Sequence, residues 1–183
     1  MRELSLNILD IVTNSIEADS TRIIVAIDEL ASQNLLRVRI KDNGKGMEQS
    51  FVDKVIDPFV TTRTTRSVGM GLSLFRQLAL QSGGNLAVQS QVGVGTLVTT
   101  TFQLNNLDRP PIGDMADTIV NLAIGAIDVH FCYLHQTDAG TMCFDSFWLL
   151  ARMAESEKAI YNYAVPAKTM IKEKLITIKS KLS

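Results

Sequence analysis

The stretch Leu36 to Met47, LRVRIKDNGKGM, constrains this chain more than any other. Leu36, Val38 and Ile40 fall on one side and Arg37, Arg39 and Lys41 on the other. That alternation is the period of a half-buried strand. The strand runs into Asp42, and Gly44 and Gly46 come next at a spacing of two. Glycine lets the backbone take positive φ and lets a ligand approach it closely. An ionised carboxylate only accepts hydrogen bonds, which suits an amino-group donor such as an adenine N6. Two readings compete: a hairpin turn of the Asp/Asn-Gly kind, and a loop that holds a ligand. The residues after Met47 do not alternate as a returning strand should.

Three other stretches bear on that choice. Residues 3–18 read as a helix, with Leu4, Ile8, Val12 and Ile16 recurring every four residues. Asn7, Asp10, Asn14 and Glu17 make a polar stripe on its other side. Asp10 and Asn14 lie four apart, one above the other. A carboxylate beside a carboxamide can hold a hydrated Mg²⁺ or position a water; a solvated helix face is the plain alternative. Thr21 to Leu30 is a β-branched strand, joined by a short polar link to the strand that ends at Asp42, and the two are expected to pair as a hairpin. Glu48 to Ile56 reads as a short helix or turn.

Asp57 to Gly71, DPFVTTRTTRSVGMG, has little periodicity and contains four Thr and two Arg. A loop of this length is either disordered or a functional lid. It feeds a helix over Leu72 to Ser82, which stops at Gly83-Gly84. A glycine-rich entry to a helix offers free N–H groups to a phosphate, and Arg63 and Arg66 could add charge-assisted contacts. Strands over Asn85 to Gln91 and Thr96 to Leu104 come next, joined by a tight turn. The order α-β-β-(α)-loop-α-β-β predicts a two-layer α/β sandwich, with helices on one face of a mostly antiparallel sheet. Neither glycine pair completes a Walker A or a dinucleotide fingerprint.

Four motifs in order carry a resemblance. NILDIVTNSIEA is similar to the N-box, DNGKGM to the first glycine box, DPF to the F-box and GMGLSL to the second glycine box of the GHKL group. That group is the ATP-binding domain shared by sensor histidine kinases, type II topoisomerases, ninety-kilodalton heat-shock chaperones and mismatch-repair ATPases. The resemblance covers about residues 1–104, and as a stand-alone chain this resembles the small bacterial histidine-kinase-like ATPases. It implies a Bergerat-type fold and the cofactors ATP and Mg²⁺. Asn14 matches the Mg²⁺ ligand, and Asp42 the acceptor of the adenine amino group. Gly44 and Gly46 match the glycines that flank the base, and Gly69 and Gly71 those whose N–H groups meet phosphate. Thr96 matches the residue that joins Asp42 around a water. Met47, Phe59, Met70 and Leu72 belong to the same boxes and are counted with the nucleotide contacts, as are Arg63 and Arg66 in the lid. Asp10 sits where ATP-hydrolysing members carry a glutamate general base; here the carboxylate is one methylene shorter.

The resemblance sets residues 1–107 as the ATPase domain and leaves 108–183 as a small α+β C-terminal region. Asn105 to Asp114, with two consecutive prolines, reads as a linker. Met115 to Gly125 is helix-like, Ile127 to His135 and Met142 to Phe147 strand-like, and Trp148 to Glu157 helical. Pro166 to Leu182 reads as a helix, with Ile171, Leu175, Ile178 and Leu182 on one face and a solvated lysine face opposite. His130 and His135 lie after the ATP domain, on a strand, whereas the family's phosphoacceptor precedes it on a helix. Cys132 and Cys143 would sit near opposite positions if the hairpin forms; a redox pair is one reading and buried reduced thiols the other. They lack metal spacing to the two histidines. Asp128, Asp138 and Asp145 could suggest a metal, but acidic residues around a hairpin are read as solvated.

A formal net charge of −1 gives no pull toward nucleic acid or anionic lipid. The N-terminal residues lack the order of a signal peptide, and no apolar run reaches membrane-spanning length. The expectation is a cytoplasmic ATP·Mg²⁺-binding protein. It would be a phosphotransferase or slow ATPase of a regulatory system, with a protein partner and a homodimer among its assemblies. The competing reading is a module that senses ATP without chemistry and contacts its partner through the lid or the C-terminal region.

Overall fold

The computed structural model describes residues 3–55, 70–154 and 161–178. Helix α1 (Leu4–Glu17) is followed by strands β1 (Arg22–Leu30) and β2 (Leu35–Asp42), helix α2 (Gln49–Val55) and helix α3 (Met70–Gln81). Strands β3 (Asn85–Gln91) and β4 (Gly95–Gln103), helix α4 (Met115–Gly125) and strands β5 (His130–Thr137) and β6 (Gly140–Asp145) come next. Helices α5 (Ser146–Ala154) and α6 (Tyr161–Thr177) complete the order. Among the described residues, the strands form one six-stranded sheet in the order β3-β4-β2-β1-β5-β6. Its pairings are antiparallel except that of β1 with β5, which is parallel.

The register explains the layers. Ile23, Val25 and Ile27 of β1 lie level with Ile40 and Val38 of β2 and with Phe131, Tyr133 and His135 of β5. Val98, Thr100 and Phe102 of β4 continue that row outward, and Phe144 and Met142 of β6 close it on the other side. Because side chains alternate along a strand, these residues share one face. The apolar ones form one core with Leu4, Ile8 and Val12 of α1, Phe75 and Ala79 of α3, Ile119 and Val120 of α4, and Ile171 and Leu175 of α6. The expected two-layer sandwich is therefore observed. The C-terminal strands continue the same sheet and the same core.

The opposite face carries Asp28, level with Arg37. Its carboxylate accepts from Arg37 Nε at 2.7 Å and from Arg39 Nη2 at 3.1 Å, and Asp28 is buried beneath the two guanidinium groups. On the core face a second polar group is buried. Tyr133 Oη lies 2.6 Å from His135 Nδ1, and His135 Nε2 lies 2.9 Å from Glu29 Oε2. Burial, and then the Glu29 charge, push the Tyr133 phenol well above its ordinary pKa.

Three expectations change. Residues 105–114 do not run free between two regions. Leu4 N–H donates to Pro111 O at 2.9 Å and Ser5 N–H to Ile112 O at 2.8 Å, and Ile112 is buried. The first turn of α1 has no side-chain cap, so these carbonyls satisfy donors the helix cannot satisfy itself. Helix α6 begins at Tyr161 and runs through Pro166, five residues before the expected start. A proline in the second turn forgoes a single helical hydrogen bond, and burial of Ala167, Ile171 and Leu175 outweighs it. Nor is the lysine face of α6 wholly solvated: Lys172 Nζ meets Asp114 Oδ2 at 2.7 Å, and Lys168 Nζ meets Asp117 Oδ1 at 2.5 Å. Lys179, Lys181 and Leu182 lie outside the described residues.

Asp114 also caps α4, accepting from Asp117 N–H at 2.9 Å. Partial burial opposes its ionised form, but the hydrogen bonds from Lys172 and Asp117 prevail and hold its pKa below the usual value. A depressed carboxylate stabilises the fold above its unfolded pKa and loses that contribution as pH falls through the folded value. Replacing Asp114 by Ala is expected to cost about 1 kcal/mol, most of it from the cap because the exposed ion pair adds little. Urea unfolding at neutral pH measures the loss, which should shrink in acid.

Candidate functional site

One cleft brings together some of the residues picked out from the first half of the chain: Asn14, Asp42, Gly46, Met47, Leu72 and Thr96. It is lined by Ile11, Asn14, Ser15 and Ala18 of α1 and its end, by Asp42, Lys45, Gly46 and Met47, and by Phe51, Leu72 and Thr96. Asp42 ends β2 on the helix-facing side of the sheet, level with Ile23, and is nearly buried. Its carboxylate is held by three donors. Oδ1 accepts from Gly44 N–H at 3.0 Å and Thr96 N–H at 3.1 Å, and Oδ2 accepts from the Ser15 hydroxyl at 2.8 Å. A carboxylate offers about four acceptor positions. Among the described residues three are filled, and the last belongs to Oδ2, beside the cleft. The arrangement is an oriented acceptor with room for one more donor.

The loop after Asp42 is stapled from both sides. Lys45 N–H donates to Ala18 O at 2.9 Å, Gly93 N–H to Lys45 O at 2.8 Å, and Met47 N–H to Ser90 Oγ at 2.8 Å. It does not return as a strand, so the hairpin reading of Asp-Asn-Gly fails. Gly46 has φ +66°, and a Cβ there would lie 2.0 Å from Gln91 O. Gly46→Ala is therefore expected to displace the loop and to cost about 2 kcal/mol or more in stability. Thermal unfolding of the variant checks this. Gly44 is confined by Ala18 O and Ser20 Oγ, each 2.6 Å from where its Cβ would be.

Asn14 is half-buried in the cleft wall, and Asp10 is exposed one turn before it. A Cβ on Gly71, in the first turn of α3, would meet Asp10 Cβ at 3.4 Å and Oδ2 at 3.9 Å. The acid thus stands beside the positive end of α3. Leu72, next along, reaches the cleft. Asn7, counted with the polar stripe, is instead buried, and its Oδ1 has no hydrogen-bond partner among the described residues.

Phe59, Arg63, Arg66 and Gly69, with most of the segment read as a lid, lie outside the described residues; Met70 is described only as the first residue of α3. Thr96 meets Asp42 through its backbone N–H rather than its hydroxyl, which sits 2.8 Å from Ser90 Oγ. Two residues escaped the sequence reading: Ser15, which orients Asp42, and Ser90, which ties Met47 to Thr96. Ser15 adjoins the chosen Asn14, and its position on the face toward β2 was the available signal. Ser90 had none.

Residues 2–106 match the family model described as histidine kinase-, DNA gyrase B-, and HSP90-like ATPase. Among curated proteins, the chain is 31% identical over 109 residues to a putative sensor protein of Shewanella frigidimarina, covering 58% of this chain and 17% of that protein. It is 29% identical over 100 residues to sporulation kinase D of Bacillus subtilis, covering 54% of this chain and 19% of that one. The chain thus spans less than a quarter of these relatives' lengths. Among solved structures, the ATPase domain of Aquifex aeolicus MutL complexed with ADP shares the fold at a TM-score of 0.52 and 16% identity, over 93% of this chain and 70% of that one. The N-terminal domain of a DNA repair protein does so at 0.55 and 16%, over 79% and 52%.

Proposed function

This chain belongs to the histidine kinase-, DNA gyrase B- and HSP90-like ATPase family, and on that premise we propose that it binds ATP with Mg²⁺ in the cleft between α1 and β2 and uses it as a phosphotransferase or slow ATPase of a regulatory system. The observation that carries the reading is the Asp42 carboxylate, fixed by three donors and left with one acceptor position beside the cleft. That group suits the exocyclic amine of adenine. Ile11, Met47, Phe51 and Val98 supply the apolar surface a purine ring needs.

The polar end of the cleft suits a triphosphate. The first turn of α3 offers N–H donors and positive dipole to an anion, with Asp10 directly alongside. Phosphate oxygens beside a carboxylate repel it unless a cation intervenes. The donor set therefore fits Mg²⁺, which is bound through one or two protein oxygens together with phosphates. Asn14 would supply the protein oxygen, and the ion, when bound, would neutralise charge on the phosphates. Asp10 would orient or deprotonate the attacking group. Gly69 and Gly71 would line the phosphates, and the segment from Asp57 onward, with Phe59, Arg63 and Arg66, would close over them and exclude water.

This reading puts the nucleotide chemistry in residues 1–107. A protein partner, phosphoacceptor or regulatory target, would meet the chain beside the cleft or on residues 108–183. Free Cys132 and Cys143 fit a reducing cytoplasm; among the described residues no helix is long and apolar enough to cross a membrane. γ-Labelled ATP tests the proposal. Release of labelled phosphate, or label on a co-purified partner, supports it. A protein that binds Mg·ATP and does neither removes the catalytic part.

A further inference from the structure

On the sheet face opposite the cleft, three side chains of different chemistry converge. His130 opens β5, and Cys132 comes two residues later on the same side of the strand. Asp145 ends β6 directly across from Cys132. His130 Nε2 lies 2.9 Å from Asp145 Oδ1 and 3.5 Å from Cys132 Sγ, and Cys132 Sγ lies 3.7 Å from Asp145 Oδ2. All three groups are neither fully buried nor fully exposed.

We propose that His130, Cys132 and Asp145 form a binding site for a divalent metal of the zinc class. Zinc bound at about 2.0–2.3 Å by nitrogen, oxygen and thiolate sulfur in tetrahedral geometry separates its ligand atoms by about 3.3–3.6 Å. His130 Nε2 and Cys132 Sγ already stand at that spacing, 3.5 Å apart, and one ligand atom from each of the three residues lies within 4.8 Å of the other two. The carboxylate meets the imidazole through Oδ1 and the thiol through Oδ2, so it turns to give the ion a single oxygen. Imidazole with thiolate selects zinc over magnesium or calcium. Two supports hold the donors in place. The Phe147 ring stacks on the His130 imidazole, with centroids 3.9 Å apart and planes 6° from parallel. Phe147 N–H donates to Asp145 Oδ1 at 2.9 Å. Such supports orient metal ligands.

The partial exposure of all three groups leaves the fourth position to water or to a donor from a partner. Binding displaces the thiol proton and leaves a thiolate on the metal. The ion would pin the start of β5 to the end of β6, at the junction with α5. The spacing rule for cysteine and histidine motifs in turns does not find this site. Strand alternation joins His130 to Cys132, and only sheet register brings in Asp145. The site shares no residue with the nucleotide cleft and does not depend on the proposed activity.

The test uses the full chain, stripped of metal with a chelator and titrated with Co²⁺ as a spectroscopic probe. The expected result is a thiolate-to-cobalt charge-transfer band that saturates at one ion per chain and is abolished by competing Zn²⁺. Cys132→Ser should abolish the band, and His130→Gln should weaken binding roughly tenfold or more. Cys143→Ser should leave the band unchanged, with circular dichroism matching wild type in each variant. A wild-type protein with no charge-transfer band overturns the proposal. So does a band that survives Cys132→Ser or disappears in Cys143→Ser.

Discussion

Replacing Asp42 by Asn is expected to weaken Mg·ATP binding by roughly 100-fold while the protein stays folded. Asparagine keeps one carbonyl oxygen, so Gly44 N–H and Thr96 N–H retain their acceptor. The new amide nitrogen faces Ser15, whose hydroxyl can rotate and accept. What cannot adapt is the remaining position beside the cleft. It changes from acceptor to donor and opposes the amino group of adenine. Losing a hydrogen bond to a charged group and gaining a donor–donor contact costs about 3 kcal/mol. Isothermal calorimetry reads the loss, and a melting curve without nucleotide close to wild type shows that the pocket is intact. Asp42→Ala is less informative, because it strips three donors of their acceptor at once and destabilises the loop as well.

Replacing Asp10 by Asn should do the reverse. Turnover should fall about 100-fold or more, the usual contribution of a positioned acid or base, while Mg·ATP affinity holds or rises. Asp10 stands on α1 beside the first turn of α3, so it neighbours the proposed phosphates rather than the base. Removing its charge lessens repulsion of the triphosphate and takes away the group that would orient the attacking oxygen. Single-turnover measurements of phosphate release or label transfer, alongside equilibrium binding, separate the two effects. Equal turnover in Asp10→Asn and wild type would remove Asp10 from the chemistry. Asp10→Glu adds reach and is expected to speed hydrolysis relative to wild type.

The parts of this protein that could be read from its residues are those whose cause is local. Alternation over Leu36 to Ile40 fixed which side chains of β2 turn inward, and with them the side on which Asp42 points. The four-residue recurrence in α1 placed Asp10 and Asn14 correctly beside each other, and Gly83-Gly84 ended α3 where expected. What was hidden depends on contacts between distant residues. The hydrogen bond from Ser15 to Asp42 spans 27 positions, and that from His135 to Glu29 spans 106. No local pattern reports either. The same holds for β5. Its residues read as a strand, but its parallel place beside β1 goes with the burial of Phe131 and Tyr133 in the shared core, which no single segment encodes. The Pro-Pro segment looked like a linker because composition does not reveal that Pro111 and Ile112 carry acceptors for the bare first turn of α1.

The proposed nucleotide recognition rests on one contact, between the Asp42 carboxylate and an exocyclic amine. The most direct measurement compares calorimetric titrations of wild type and Asp42→Asn with ATP and with the purine triphosphate that lacks the 6-amino group. If the contact exists, wild type prefers ATP by roughly tenfold or more, and Asp42→Asn loses that preference, so the two changes are not additive. Wild type binding both nucleotides equally, or giving no heat with Mg·ATP, would contradict it.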